Sequence, residues 1–271
     1  MNSLNQILKK LEIDFAQTVF VYYGSSSGIS GFSIKPKDFI TYAKEDFESG
    51  NEKGLVNGIT NCKRAIDCQI DSILNHFGIS FDKIPKASEE IIAKTNTREN
   101  ETSYKLKLIQ SLKFAPSGLI GKARKLRNKL EHYYQIPDRN EIEEAIELAE
   151  LFVLSCESKI KDCNDEFAIS SNNYKYSAPH KNIPEYIEEL YSNQLKISFE
   201  YDEKRICISP IVNKKLMTSI YIDQHWPEFY FFIRLINSTD YETDCLENLK
   251  LLLKFVKYPI NENNMKIVEL Y

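Results

Sequence analysis

The period of the hydrophobic pattern changes once along this chain, and that change limits the folds open to it. From residue 36 to about 166, apolar side chains recur every three to four residues and strand alternation is absent, which predicts helices. Four of them fall at about 37–49, 52–77, 103–114 and 117–135, and a fifth, started sharply by Pro137 and Asp138, at about 138–163. Beyond a polar stretch at 170–181 the period drops to two in residues 195–201 and 205–209, a strand pair joined by a turn at Asp202. Residues 219–222 and 229–236 read as two further strands, 247–257 as a helix and 266–270 as a closing strand. The fold class is α+β, a helical bundle over 36–166 followed by a small antiparallel α+β domain of unknown role over 174–271. Ahead of both, residues 1–35 form an N-terminal segment. It holds an amphipathic helix (Leu4, Ile7, Leu8, Leu11), an apolar strand at 18–23 and a Gly/Ser-rich turn at 24–31.

Several function classes drop out at once. No uncharged stretch approaches the roughly 18 residues that a membrane-spanning helix needs, so no membrane role is expected. The six cysteines never take the two-residue spacing of zinc knuckles or redox pairs, and they read as reduced core thiols of a cytoplasmic protein with neither metal nor cofactor. The Gly/Ser turn lacks the Lys-Ser/Thr ending of a phosphate loop. A formal net charge of −4 excludes a whole-chain polyanion binder, so any nucleic-acid contact must come from a local basic patch.

One such patch exists. Residues 98–131 hold nine basic side chains against three acidic, a net of +6, whereas 138–166 hold ten acidic against three basic, a net of −7. Pairing of two neighbouring helices is the plain explanation of that contrast. The basic helix, however, carries more than charge. Leu119, Ala123, Leu126, Leu130 and Tyr133 share one apolar stripe at about 100° per residue. Beside it Asn128 and His132 stack one turn apart, and Arg127 and Tyr134 form a second row two turns apart. A bidentate cation for phosphate, an amide to hold it and an imidazole that exchanges protons near neutral pH are parts suited to cleaving RNA without a metal. Plainer roles stay open for two of them: a surface position for His132, and an ion pair of Arg127 with Glu131 at i, i+4.

Arg127 followed directly by Asn128, then His132 and Tyr134, resembles the signature of HEPN domains, which are helical bundles. The resemblance is strongest over 117–135 and extends over about 36–166, where the helix bearing residues 61–74 is similar to the partner helix of such bundles. It implies a metal-independent endoribonuclease of a toxin–antitoxin, abortive-infection or antiviral system. Arg127, Asn128 and His132 would be catalytic, Tyr134 would line the site or be modified by a partner nucleotidyltransferase, and Lys122, Arg124, Lys125 and Lys129 would contact the phosphates. Many such domains juxtapose two motifs, which implies a homodimer through the bundle, with RNA as substrate and an antitoxin or regulatory protein as partner. The alternative within the same family is a non-catalytic module that binds a nucleotide or another protein. His76, before Gly78 at a helix end, reads as structural.

Overall fold

The computed structural model describes residues 3–24, 32–80, 82, 84–95, 103–115, 118–119, 121–122, 125, 136–174, 191–238 and 242–270. The chain forms two compact units, one of residues 1–26, 86–94 and 162–271 and the other of 27–85 and 95–161. Among the described residues there are eight α-helices and a mixed sheet of seven strands.

The first unit opens with α1 (Leu4–Leu11), capped by a reciprocal pair in which Ser3 Oγ accepts from Gln6 N and Gln6 Oε1 accepts from Ser3 N. Its four leucine and isoleucine side chains are all buried, and Glu12 ends it in the left-handed region at φ 52°. Strand β1 (Thr18–Tyr22) then runs antiparallel to β2 (Glu166–Ser171), Tyr22 opposite Phe167. Strands β3 (Gln194–Glu200) and β4 (Arg205–Val212) form the hairpin that alternation predicts, turning at residues 201–204. Asn213 and Lys214, both at positive φ, make the two-residue turn into β5 (Lys215–Leu216), the backbone a tight hairpin requires. Strand β6 (Ile220–Ile222) also pairs with β4.

Two expectations are corrected here. Residues 229–236 are not a strand but most of a helix, α7 (Pro227–Ile236), started by Pro227 in its first turn. Every residue from Phe229 to Ile236 is buried, Arg234 included through its hydrogen bond to Asn248, so no exposed polar face marks a period that would separate a buried helix from a buried strand. Nor is the sheet purely antiparallel: the closing strand β7 (Ile267–Leu270) lies parallel to β1, making the sheet mixed, in the order β5-β4-β3-β2-β1-β7. One sheet face presents Phe20, Phe167, Ile197, Phe199 and Ile208, all buried. Phe199 meets Phe229 of α7, and Tyr22 hydrogen-bonds Cys245 of α8 (Glu242–Phe255) at 3.2 Å. A short helix that periodicity did not reveal, α4 (Ala87–Thr95), contributes residues 87–94 to this unit.

The second unit is helical. Helix α2 (Pro36–Ser49) begins with proline in its first turn and stops at Gly50, whose φ of +68° suits glycine. Asn51 caps α3 (Glu52–His76) by accepting from Gly54 N at 2.9 Å. Helix α5 (Tyr104–Ser111) follows Ser103 as its cap. Helix α6 (Arg139–Lys161) starts where Pro137 and Asp138 predict, with Asp138 Oδ1 accepting from Glu141 N and Glu141 Oε2 accepting from Asp138 N. Close packing of α2, α3 and α6 depends on Gly58, where a Cβ would lie 3.3 Å from both Ala43 O and Ile142 Cγ2.

Candidate functional site

Helix α6 buries Ile142, Ala145, Ala149, Phe152, Val153 and Cys156 and turns its glutamates outward. Two of those pair with α2: Glu157 with Lys37 and Glu150 with Lys44, each at 2.6 Å. Glu150 and Glu157 of the acidic helix thus pair with lysines of α2.

Between α6 and Leu119, Lys122 and Lys125 lies a cleft of about 550 Å³. Its floor is apolar, built from Ile59 of α3, Leu119, and Ala145, Leu148 and Leu151 of α6. Lys122 and Lys125 stand on one wall, Glu141, Glu144 and Glu147 on the other. Glu141 is engaged in the cap of its own helix. Lys122, Lys125, Glu144 and Glu147 are exposed and make no ion pair or hydrogen bond among the described residues, so charges of both signs line the cleft together with its apolar side chains. Like the pockets that hold ligands, the cleft combines apolar lining with a few polar groups. Unlike a site made only for phosphate, it carries carboxylates.

Of the residues that the sequence singles out, Lys122 and Lys125 reach this cleft. Arg124, Arg127, Asn128, Lys129, His132 and Tyr134 lie outside the described residues. His76 is buried at the end of α3, its ring edge-on to Phe77 at 4.8 Å between centroids. The acidic wall and its leucines were not foreseen as a site, although the outward run Glu144, Glu147, Leu148, Leu151 is visible in the heptad spacing of α6.

Other reactive groups are poorly placed for chemistry. All six cysteines are free thiols. Burial pushes the Cys62 thiol up to about 12 and raises Cys156 further, which leaves both protonated and unreactive at neutral pH. Cys68 is raised too, again chiefly by burial. Among the described residues no group of three or more His, Cys, Asp or Glu side chains could hold a metal ion, and no helix is long and apolar enough to cross a membrane.

In the first unit, Asp165 and Tyr201 form a second polar cluster at the end of β3. Burial raises both, and Tyr201 gains further from the neighbouring Asp165 carboxylate. Gly24 closes against them: a Cβ there would fall 2.5 Å from Asp165 Oδ1.

The chain matches no family model, no curated protein and no solved structure.

Proposed function

We propose that the chain is a metal-independent endoribonuclease of the HEPN type, acting in a toxin–antitoxin, abortive-infection or antiviral system. The observation that carries the reading is the run Arg127-Asn128, then His132 and Tyr134, in a strongly basic segment of the helical unit. Supporting it, Lys122 and Lys125 just ahead of the run are exposed, and so available to phosphate.

In this reading the ribose 2′-oxygen attacks the adjacent phosphorus and the 5′-oxygen leaves. His132 takes the 2′-proton or gives one to the leaving oxygen, a contribution of about 10²–10⁴-fold in rate. Arg127 offers its planar fork to the non-bridging oxygens as charge develops on them. Asn128 orients the phosphate. Lys122, Arg124, Lys125 and Lys129 draw the backbone in, and Tyr134 borders the site. Two copies of the chain supply two histidines to one composite site.

A second reading is favoured by one observation, the exposed Glu144 and Glu147 that line the same cleft as the lysines: carboxylates repel an RNA backbone and suit a protein-binding module. One experiment separates the two. Purified protein incubated with single-stranded RNA in excess EDTA cleaves it if the first reading holds. Cleavage that needs added metal, or none at all, overturns it.

A further inference from the structure

On the outward side of α6, Leu151 and Leu154 follow one another along the helix, 56% and 55% exposed, and Leu148 continues the row into the cleft floor. Isolated exposed leucines mean little, but a row of them bordered by polar groups marks a contact surface. What covers this row is indicated by the walls. Glu144 and Glu147 on one side and Lys122 and Lys125 on the other have no partner among the described residues, while Glu150 and Glu157 of the same helix are paired. An occupant must therefore be apolar beneath, basic along one flank and acidic along the other.

We propose that this groove seats an amphipathic α-helix of a partner protein. A helix about 10 Å across presents opposite flanks to both walls at once, whereas a nucleic-acid strand would place phosphates against Glu144 and Glu147. From Glu141 to Leu154 the wall of α6 runs about 20 Å at 1.5 Å per residue, the span of a helix of three to four turns. A second hollow of about 230 Å³ beside Leu154, lined by Ile40 and Val153 among others, takes a further apolar side chain at the end of that span. The docking does not depend on RNA cleavage. Its one consequence that does is that a seated helix takes Lys122 and Lys125 away from RNA.

The test uses the full chain and a fluorescein-labelled helical peptide of about sixteen residues, with leucines at i, i+3, i+4 and i+7, lysines on one flank and glutamates on the other. Anisotropy should show saturable binding, and a twin peptide with serine for leucine should not bind. Leu151→Asp and Leu154→Asp alter exposed side chains, so circular dichroism should stay native while affinity falls by about tenfold or more. The pair Glu144→Lys and Glu147→Lys should weaken the same peptide several-fold. Absence of saturable binding overturns the proposal, as does binding indifferent to these variants. It is equally overturned if Glu144→Gln and Glu147→Gln leave the peptide unaffected and tighten binding of a labelled single-stranded RNA, which would assign the groove to nucleic acid.

Discussion

Gln69 carries its amide into the interior of the helical unit, 1% exposed, and its Nε2 meets no hydrogen-bond partner. It lies on α3 at i, i+3, i+7 spacing with Ser72 and His76, both buried as well, a polar row on a helix whose other buried polar side chain, Asn61, donates to Asp46. An orphaned buried donor costs about 1–3 kcal/mol. Gln69→Met, close in volume, should therefore raise the urea midpoint, by the equivalent of about 1 kcal/mol. A loss of stability would show that the amide is bonded in solution. Asp165 makes a second case. Burial raises its carboxyl, so the folded chain holds that proton more tightly than the unfolded chain, and stability falls as pH climbs from the ordinary carboxylate range through the raised value. Asp165→Asn should melt higher than the wild type at neutral pH, with the gap closing as pH is lowered. A gap that widens toward acid would refute this account of the residue. Neither position stood out in the sequence, because burial of a polar residue is decided by neighbours remote along the chain.

At the scale of elements, legibility followed the strength of local signals. Helix α6 was readable at its start because Pro137, Asp138 and Glu141 supply a complete capping arrangement, and the β3–β4 hairpin because both strands alternate cleanly around a polar turn. Helix α7 was not, since Phe229 to Ile236 are buried on every side and leave no polar stripe to reveal the period. Glu150 and Glu157 of α6 pair with Lys44 and Lys37 of α2, tertiary contacts that sequence proximity does not encode. The α2–α3 corner gives a direct test of packing. A Cβ on Gly54 would overlap the Asp46 carbonyl oxygen and Ser49 Oγ, and a backbone atom cannot swing aside. Although alanine gains about 1 kcal/mol over glycine in helix propensity, Gly54→Ala should be destabilising overall, with about 1–3 kcal/mol lost to overpacking. Denaturant unfolding that finds the variant more stable would place the corner elsewhere.

At the scale of the whole molecule, the N-terminal segment is integral to the sheet: β1 has β2 on one side and β7 on the other. Deletion of residues 1–26 would strip a strand bonded along both edges together with buried α1, and limited proteolysis of the truncated chain should degrade 162–271 rapidly. A protease-resistant C-terminal fragment would contradict this. The ribonuclease reading adds an expectation of a homodimer through the helical unit, because each chain has a single Arg127-to-His132 set; light scattering at micromolar concentration checks it, and a monomer counts against the composite site. The bipolar groove was not legible in the sequence, because it requires Ile59 of α3, Lys122 and Lys125, and α6 to be brought together.

In the proposed ribonuclease reaction His132 moves the proton and Arg127 holds the phosphate. RNA cleavage in EDTA, measured alongside RNA affinity for the wild type, His132→Ala and Arg127→Ala with circular dichroism to verify folding, separates these two roles. The wild type should cleave. His132→Ala should bind RNA within about threefold of wild type and turn over at least about 10²-fold more slowly, and Arg127→Ala should lose affinity and turnover together. Wild-type cleavage rates in the two folded variants would contradict the claim, as would unfolding of His132→Ala, which would make that histidine a structural residue.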